Sequence, residues 1–301
     1  MVVEFACAAR AYLDLTFTGL QALPRPGEEE FATDLIRSPG GGALNVIGAA
    51  RLDLQTAAAF PLGDDEAGRF LRAELERDGI LVAAAPAART AISAVMPYGG
   101  DRAMVTYDPE IGVDADVLMA LRPKRVLCTI DQVSLIPVGA RAFVTVGDRE
   151  VRLQGGHNLP TLPPGTSLLV NAVEARTMTE RDDVFAAAAA LAEWAEVVVI
   201  TLGADGALAR SQDVTATLPG VDVDAVDTTG AGDLFAAAWV WGDARGLDMD
   251  ARLSWAVLYA GLSVRVPSGA AGALHLEQLI EAGARRGLRP PVAATPVPEA
   301  L

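Results

Sequence analysis

The stretch AVDTTGAGDLF, residues 225–235, places two threonines, two glycines and two aspartates directly before the apolar run LFAAAWVW. A strand ending near Val226, a glycine-rich turn and a helix starting near Gly230 would leave the amides of Gly230, Ala231 and Gly232 unpaired at a helix amino terminus. Such a terminus binds anions, and glycine lets a phosphate group approach the backbone closely. The stretch therefore predicts a phosphate site.

Asp233 lies in the first turn of this helix, where its carboxylate would face the bound anion. A carboxylate beside a phosphate is costly unless it has a task, and accepting a proton from an attacking hydroxyl is one such task. The alternative is that Asp233 only stabilises the helix dipole and that the glycines only form a tight turn. Other segments favour the catalytic interpretation.

Small and polar residues recur where other predicted strands end. They are Asp14, Gly40, Gly41, Gly42, Asn45, Asn171, Glu174, Thr201, Gly203 and Gly206. Open α/β sheets bind ligands at the carboxyl ends of their strands. The sequence therefore predicts one ligand site along that edge.

The alternation of short β-rich runs with helical runs predicts a mostly parallel sheet covered by helices on both faces. Residues 15–37 and 90–107 do not fit this alternation, and we expect them to form a separate small β unit. Residues 288–301 form a proline-rich tail. The whole chain, residues 1–301, is predicted to be a single domain.

Composition excludes several classes of protein. The formal net charge of −15 disfavours nucleic acid and anionic membranes as partners. The amino terminus lacks the features of a signal peptide, no long apolar window is free of charge, Gly or Pro, and Cys7 and Cys128 form no CxxC pair. We therefore expect a cytoplasmic protein with two buried thiols.

Two other nucleotide-binding classes fail on motif grounds. The first predicted strand is not followed by the G-x-G-x-x-G turn of a nicotinamide-dependent oxidoreductase. The single lysine, Lys124, lies in RPKRV without the glycine loop that a P-loop kinase requires. Neither class remains a candidate.

The chain resembles the ribokinase family of sugar and nucleoside kinases, also called the PfkB carbohydrate kinases. GGGALNVIGAARL and FPLGDDEAGRFLRAELERDGI, at residues 40–52 and 60–80, resemble the family's amino-terminal signature. DTTGAGDLFAAAWVWG, at residues 227–242, resembles its carboxy-terminal signature. The resemblance implies a three-layer α/β/α sandwich with a mostly parallel central sheet, a small β lid, and ATP and Mg²⁺ as phosphoryl donor and cofactor.

The resemblance also implies a role for each candidate residue. Asp233 matches the catalytic base, and the amides of Gly230, Ala231 and Gly232 match the anion hole. The residues that match sugar ligands are Asp14, Gly40, Gly41 and Asn45. Those that match the nucleotide and Mg²⁺ side are Asn171, Glu174, Thr201, Gly203 and Gly206. Glu174 is thereby a metal-organising residue, and Asp227 with the backbone of Thr229 matches part of a monovalent-cation loop completed near residues 266–273.

The acceptor and the assembly stay open at this point. A neutral sugar is favoured, a sugar acid or sugar phosphate would recruit Arg102 or Arg37, and a nucleoside would stack on Tyr98 or Phe17. A catalytically idle sugar-binding regulatory protein is the remaining alternative, and a solvated hairpin charge is the alternative for Arg102. Ala273 replaces a polar residue of some relatives, so a K⁺ requirement is also open. The lid is expected to form a homodimer contact.

Overall fold

A nine-stranded sheet lies at the centre of the computed structural model, which describes residues 2–84, 86–98, 101–147, 150–151, 159–212 and 214–291. In spatial order its strands are β15 (Thr215–Leu218), β14 (Ala207–Arg210), β13 (Val197–Thr201), β12 (Ser167–Asn171), β11 (Arg141–Thr145), β10 (Arg125–Thr129), β1 (Phe5–Cys7), β4 (Thr56–Ala58) and β6 (Leu81–Val82). Strands from β13 to β6 pair in parallel, whereas β14 and β15 pair antiparallel. The predicted mostly parallel sheet is confirmed.

Helices cover both faces of this sheet. One face carries α1 (Gly42–Arg51), α2 (Glu66–Arg77), α6 (Ala231–Ala244), α7 (Met249–Ser263) and α9 (Leu276–Ala284). The other face carries α3 (Ala115–Ala120), α4 (Ala172–Thr179) and α5 (Val184–Leu191). A single turn, α8 (Gly269–Gly272), follows α7. The predicted three-layer α/β/α sandwich is confirmed.

The two hydrophobic cores follow from the alternation of side chains along the strands. In β1, Phe5 and Cys7 belong to the core on one face, and Ala6 belongs to the core on the other. Both faces are buried because parallel strands need helices on each side. Trp239 and Trp241 of α6 are fully buried in the first core, where they pack against its apolar side chains.

A second sheet of four strands forms the lid. Its order is β3 (Asp34–Gly41), β2 (Ala11–Thr18), β8 (Ala91–Tyr98) and β9 (Asp101–Tyr107). The pairs β2–β3 and β8–β9 are antiparallel, and β2–β8 is parallel. Two short strands, β5 (Leu62–Gly63) and β7 (Pro86–Ala87), pair separately.

The lid strands are longer than the sequence suggested. Pairing of β2 with β3 continues from Thr18–Asp34 to Ala11–Gly41, so the unit begins before residue 15 and ends after residue 37. Asp14 consequently lies inside a lid strand and not at the end of a strand of the central sheet. Of the proline-rich tail, residues 292–301 lie outside the described residues. Within the described ranges, no helix combines the length and apolar character needed to cross a membrane.

Candidate active site

Helix α6 begins with a turn whose backbone suits an anion. Gly230 caps it with φ 79° and ψ 0°, and a Cβ there would overlap the side chain of Leu44. The N–H of Ala231 donates to the carbonyl of Thr228 at 3.3 Å, whereas those of Gly230 and Gly232 have no partner among the described residues. A Cβ on Gly232 would meet no atom within 4 Å. Free donors and open space therefore lie together at this helix terminus.

Asp233, in the first turn of α6, is contacted by residues at the end of lid strand β3 and in the helix α1 that follows it. The side-chain amide of Asn45 donates to the main-chain oxygen of Asp233 at 2.8 Å. The Asn45 side chain and the N–H of Gly41 also face the carboxylate as donors that lower its pKa. Burial raises the pKa of Asp233 to about 6, while Arg102 and these two donors oppose the rise. The carboxyl is therefore ionised at neutral pH, yet basic enough to accept a proton.

Asn45 links the candidate base to a buried thiol. It lies in α1, is 2% exposed, and its Oδ1 is 4.0 Å from Sγ of Cys7. Burial raises the pKa of the Cys7 thiol, which therefore stays protonated and acts as the donor. Cys7 and Cys128 are both buried and free, as expected. The sequence predicted Asn45 as a sugar ligand only, and its contact with Asp233 was not anticipated.

Asp14 is the second carboxylate of the site. It is 5% exposed and faces Gly40, where a Cβ would overlap its carboxylate oxygens. Burial raises the pKa of Asp14 to about 7, and the neighbouring Asp233 contributes, whereas Arg102 opposes the rise. Glycine at position 40 therefore leaves room for a carboxylate beside the base.

We expect Asp14→Asn to change the pH dependence of stability. The folded protein holds the Asp14 proton more tightly than the unfolded chain, in which the pKa is near 3.8. The free energy of unfolding therefore falls as pH rises from about 4 to about 7. The asparagine variant lacks this loss. Its free energy of unfolding should match that of the wild type near pH 4 and exceed it by about 4 kcal/mol at pH 8.

Urea denaturation at both pH values tests this expectation. Asp205→Asn, at an exposed position, serves as the control and should show no such divergence. An equal difference between wild type and Asp14→Asn at pH 4 and pH 8 would contradict the buried-carboxyl explanation.

The two arginines proposed for an anionic acceptor have different surroundings. Arg102 lies in β9 and lowers the pKa of both Asp14 and Asp233, so it acts on the site, although its side chain is exposed. The guanidinium of Arg37 instead lies 5.4 Å from the ring centre of Phe70. Of these two arginines, Arg102 is the one with an electrostatic effect on both carboxyls.

The N-x-x-E residues lie at the carboxyl edge of β12. The N–H of Glu174 donates to Oδ1 of Asn171 at 2.9 Å, and the N–H of Asn171 donates to Oε2 of Glu174 at 2.7 Å. This capping box stabilises the start of α4. Thr201 pairs with Asn171 in register, so the predicted nucleotide-side residues of β12 and β13 are neighbours.

A groove of about 380 Å³ lies near the loop of Gly203 and Gly206. Both glycines have positive φ, 63° and 100°, and a Cβ on Gly206 would lie 2.6 Å from the N of Gly220. The lining of the groove comprises residues 218–222 and side chains of α7 and of the segment after α9. The glycine loop therefore packs against one wall of this groove.

Asp227 joins two loops beside α6. Its Oδ1 accepts the N–H of Thr229 at 2.8 Å, and its Oδ2 accepts the N–H of Ser268 at 2.9 Å. The carboxylate thus connects the DTTGAGD turn to residues 266–273, the two segments predicted to form a cation loop. Among the described residues, no three His, Cys, Asp or Glu side chains are grouped so that they could hold a metal ion.

Arg10 is a charged residue near the site that the sequence did not single out. Its guanidinium contacts Asp131 at 3.0 Å, Glu150 at 3.2 Å and Asp108 at 3.4 Å. These carboxylates follow β10, β11 and β9, so Arg10 joins the lid to the central sheet. A lone arginine in the apolar run after the first strand, ACAARAY, is the signal that could have identified it.

Comparison with known proteins agrees with this geometry. The profile of the pfkB family carbohydrate kinases matches residues 18–150 and 159–275. Ribokinase of Bacillus subtilis (strain 168) is 26% identical over 287 residues, which cover 89% of this chain and 95% of the relative. The 1-phosphofructokinase of Haloferax volcanii is 30% identical over 250 residues, which cover 77% of this chain and 82% of the relative.

A solved structure shares the fold. Ribokinase from Cryptococcus neoformans var. grubii serotype A in complex with ADP superposes with a TM-score of 0.74 at 20% identity, over 93% of this chain and 99% of that one. The central sheet and the lid are thus those of the ribokinase-like fold. Because the family profile matches most of its length, the chain belongs to the pfkB family of carbohydrate kinases.

Proposed function

We propose that this kinase transfers the γ-phosphoryl group of ATP to a hydroxyl of a small carbohydrate, with Asp233 as the general base. The observation that carries the proposal is the position of Asp233. Its carboxyl, with a pKa raised to about 6, follows the free N–H groups of Gly230 and Gly232 and lies near the buried Asp14. A proton acceptor, N–H groups that can bind a phosphoryl group, and a second carboxylate that can bind a hydroxyl are thereby adjacent.

In the proposed reaction, the acceptor hydroxyl is bound by Asp14, Asn45 and the glycines at positions 40 and 41. Asp233 accepts the hydroxyl proton while the oxygen attacks the γ-phosphorus in line and the bond to ADP breaks. The amides of residues 230–232 donate to the transferred phosphoryl oxygens, whose charge they stabilise. Closure of the lid excludes water, which limits hydrolysis of ATP.

The nucleotide is assigned to the edge formed by β12 and β13. Thr201, Gly203 and Gly206 are proposed to contact ATP, and the groove of about 380 Å³ has a volume suited to its nucleoside portion. Asn171 and Glu174 offer the oxygen atoms that Mg²⁺ prefers, and we propose that they organise the ion through water. When bound, Mg²⁺ neutralises charge on the phosphates.

A monovalent cation near Asp227 and the backbone of Thr229 is a separate proposal. The carboxylate of Asp227 accepts two N–H groups and thereby holds the loop together. K⁺ would contact carbonyl oxygens of the same loop. Activity measured with and without K⁺ decides whether this chain needs the ion.

A neutral sugar remains the favoured acceptor. Asp14 and Asp233 are two carboxylates in one site, which disfavours a doubly negative sugar phosphate, and Arg37 lies against Phe70. The names of the relatives nevertheless include a 1-phosphofructokinase beside a ribokinase. Sugar acids, sugar phosphates and nucleosides are therefore retained as alternatives, with Arg102 as the residue that an anionic acceptor would recruit.

ATP consumption across a panel of acceptors tests the proposed function. The panel contains ribose, fructose, 2-keto-3-deoxygluconate, fructose phosphates and nucleosides, with Mg²⁺ and with or without K⁺. We expect ADP release to be fastest with a neutral sugar. Turnover of no acceptor, with ATP binding intact, would instead favour the catalytically idle sugar-binding protein.

The lid is proposed to form a homodimer contact. Large apolar side chains are exposed on it, namely Phe31, Leu35, Tyr98, Met104, Val105 and Tyr107. We expect light scattering to give a mass twice that of one 31.3 kDa chain. We expect Val105→Glu to lower the measured mass to that of one chain. Val138→Glu, at an exposed position outside the lid, is the control. A monomeric wild type would contradict the proposal.

A further inference from the structure

Three arginines converge on one aspartate at the amino-terminal edge of the central sheet. Arg125 opens β10, Arg141 opens β11, and Arg252 lies in α7. Asp243, near the end of α6, accepts a hydrogen bond from Nε of Arg125 at 2.7 Å, and its Oδ1 lies 2.8 Å from Nε of Arg141 and 3.4 Å from Nη1 of Arg252. The candidate active site lies at the opposite, carboxyl edge of the same parallel strands. We call these three arginines and Asp243 the arginine cluster.

The arginine cluster has excess positive charge. Three guanidinium groups face one carboxylate, and Asp243 is the only acidic side chain within 4.0 Å of them among the described residues. Arg122 and Lys124 add positive charge just before Arg125. The chain as a whole carries a formal net charge of −15. A local charge of this sign in an acidic protein attracts small anions.

Three donors of the cluster, Nε of Arg141 and both Nε and Nη2 of Arg252, are buried without acceptors among the described residues. The side chain of Arg252 is 6% exposed, and its Nε and Nη2 have no hydrogen-bond partner in the part of the chain that the structure describes. Its guanidinium carbon lies 4.2 Å from the ring centre of Trp239, which covers one face of the planar group. Burial lowers the pKa of Arg252 to about 10, so the group is charged at neutral pH. A charged donor buried without an acceptor is costly, and an anion would remove that cost.

We propose that Arg125, Arg141 and Arg252 bind a doubly charged oxyanion of the phosphate class. The two unbalanced positive charges match a hydrogen phosphate ion or the phosphoryl group of a phosphorylated metabolite. Guanidinium groups bind such oxygens through pairs of N–H donors. The side chain of Arg141 is 40% exposed, which gives the cluster an open side.

This site is distinct from the N–H groups of the candidate active site that are proposed to bind the phosphoryl group. Asp243 follows Asp233 by ten residues on α6, which is roughly 15 Å along the helix axis. An ion bound to the arginine cluster would therefore contact neither the acceptor hydroxyl nor the amides of residues 230–232. Binding can be measured while the active site is filled.

Calorimetric titration with inorganic phosphate tests the proposal. The full-length protein is first saturated with Mg²⁺ and a non-hydrolysable ATP analogue, and an equal ionic strength of NaCl serves as the blank. We expect one saturable phosphate site. Arg141→Gln should weaken binding about tenfold or more, because a charge-assisted pair of hydrogen bonds is lost. Arg285→Gln removes the same charge from an exposed position and should leave the affinity unchanged.

A second variant, Arg141→Lys, separates the loss of a binding contact from misfolding. It keeps the charge but lacks the planar pair of donors. It should bind phosphate more weakly than the wild type and retain the wild-type melting temperature. Titration of the wild type and of Arg141→Gln with fructose 6-phosphate separates the two sources of the ligand: binding tighter than that of phosphate and weakened in Arg141→Gln identifies a metabolite, and a site sensitive to Arg141→Gln for phosphate alone identifies the free ion. No saturable phosphate site, or equal losses in Arg141→Gln and Arg285→Gln, would overturn the proposal.

Discussion

Asp233→Asn should lower kcat by about a hundredfold or more, because asparagine cannot accept the proton of the attacking hydroxyl. The exchange preserves the size of the side chain and the main-chain oxygen that Asn45 contacts. Nucleotide binding should therefore change little. Steady-state rates of ADP formation and calorimetric titration with an ATP analogue measure the two quantities separately.

The pH dependence of the rate supplies the mechanistic check. With the pKa of Asp233 at about 6, kcat/KM of the wild type should fall as pH drops below about 6, since the base becomes protonated. The residual activity of Asp233→Asn should lack this fall. Asp64→Asn, at an exposed position, is the control and should keep the wild-type profile. Near-wild-type turnover by Asp233→Asn would exclude it as the base.

Asn45→Leu should reduce kcat/KM by about 10–100-fold and move its acidic limb to higher pH. Leucine has nearly the same shape but no donor, so the main-chain oxygen of Asp233 loses a hydrogen bond and its carboxylate loses a neighbouring amide. Because that amide had opposed the rise in the pKa of Asp233, the pKa should increase further. Rates measured from about pH 5 to about pH 9 record the shift.

The shift separates two roles for Asn45. Loss of a sugar contact alone would raise KM for the acceptor without moving the acidic limb of kcat. Loss of positioning moves that limb and lowers kcat. Cys7→Ser keeps a donor for Oδ1 of Asn45 and should behave like the wild type. A change in KM alone would leave Asn45 as a ligand of the acceptor and not a positioning residue.

Sequence patterns located most of the central sheet because its local signals agree with the tertiary structure. The central residues of the run RVLCT in β10 and of the run VVVIT in β13 are buried and apolar, as parallel strands covered on both faces require. The glycine-rich turn before α6 was recognisable because Gly230 adopts a conformation that other residues disfavour. The helix start was accordingly predicted to within one residue, whereas the predicted strand ending near Val226 was wrong, because residues 219–230 approach the helix as irregular backbone without strand pairing.

The lid was located less well. Its first strands read as apolar and polar residues without a turn signal at either end, so the predicted bounds of 15–37 missed the pairing of Ala11 with Gly41. Asp14 was placed at the end of a strand of the central sheet, whereas it lies within β2 of the lid. Strand pairing joins residues distant in sequence, and neither strand alone contains the register.

The sequence by itself determined the family resemblance, most strands of the central sheet and the start of the helix that carries the candidate base, because glycine turns, helix starts and apolar runs are local properties of the chain. The tertiary structure alone decided which groups act on that base. Asn45 reaches Asp233 across 188 residues, and burial, which shifts the pKa of both carboxyls, exists only once the lid and the sheet have packed. The arginine cluster likewise arises only in the folded chain, since its members come from two strands and two helices.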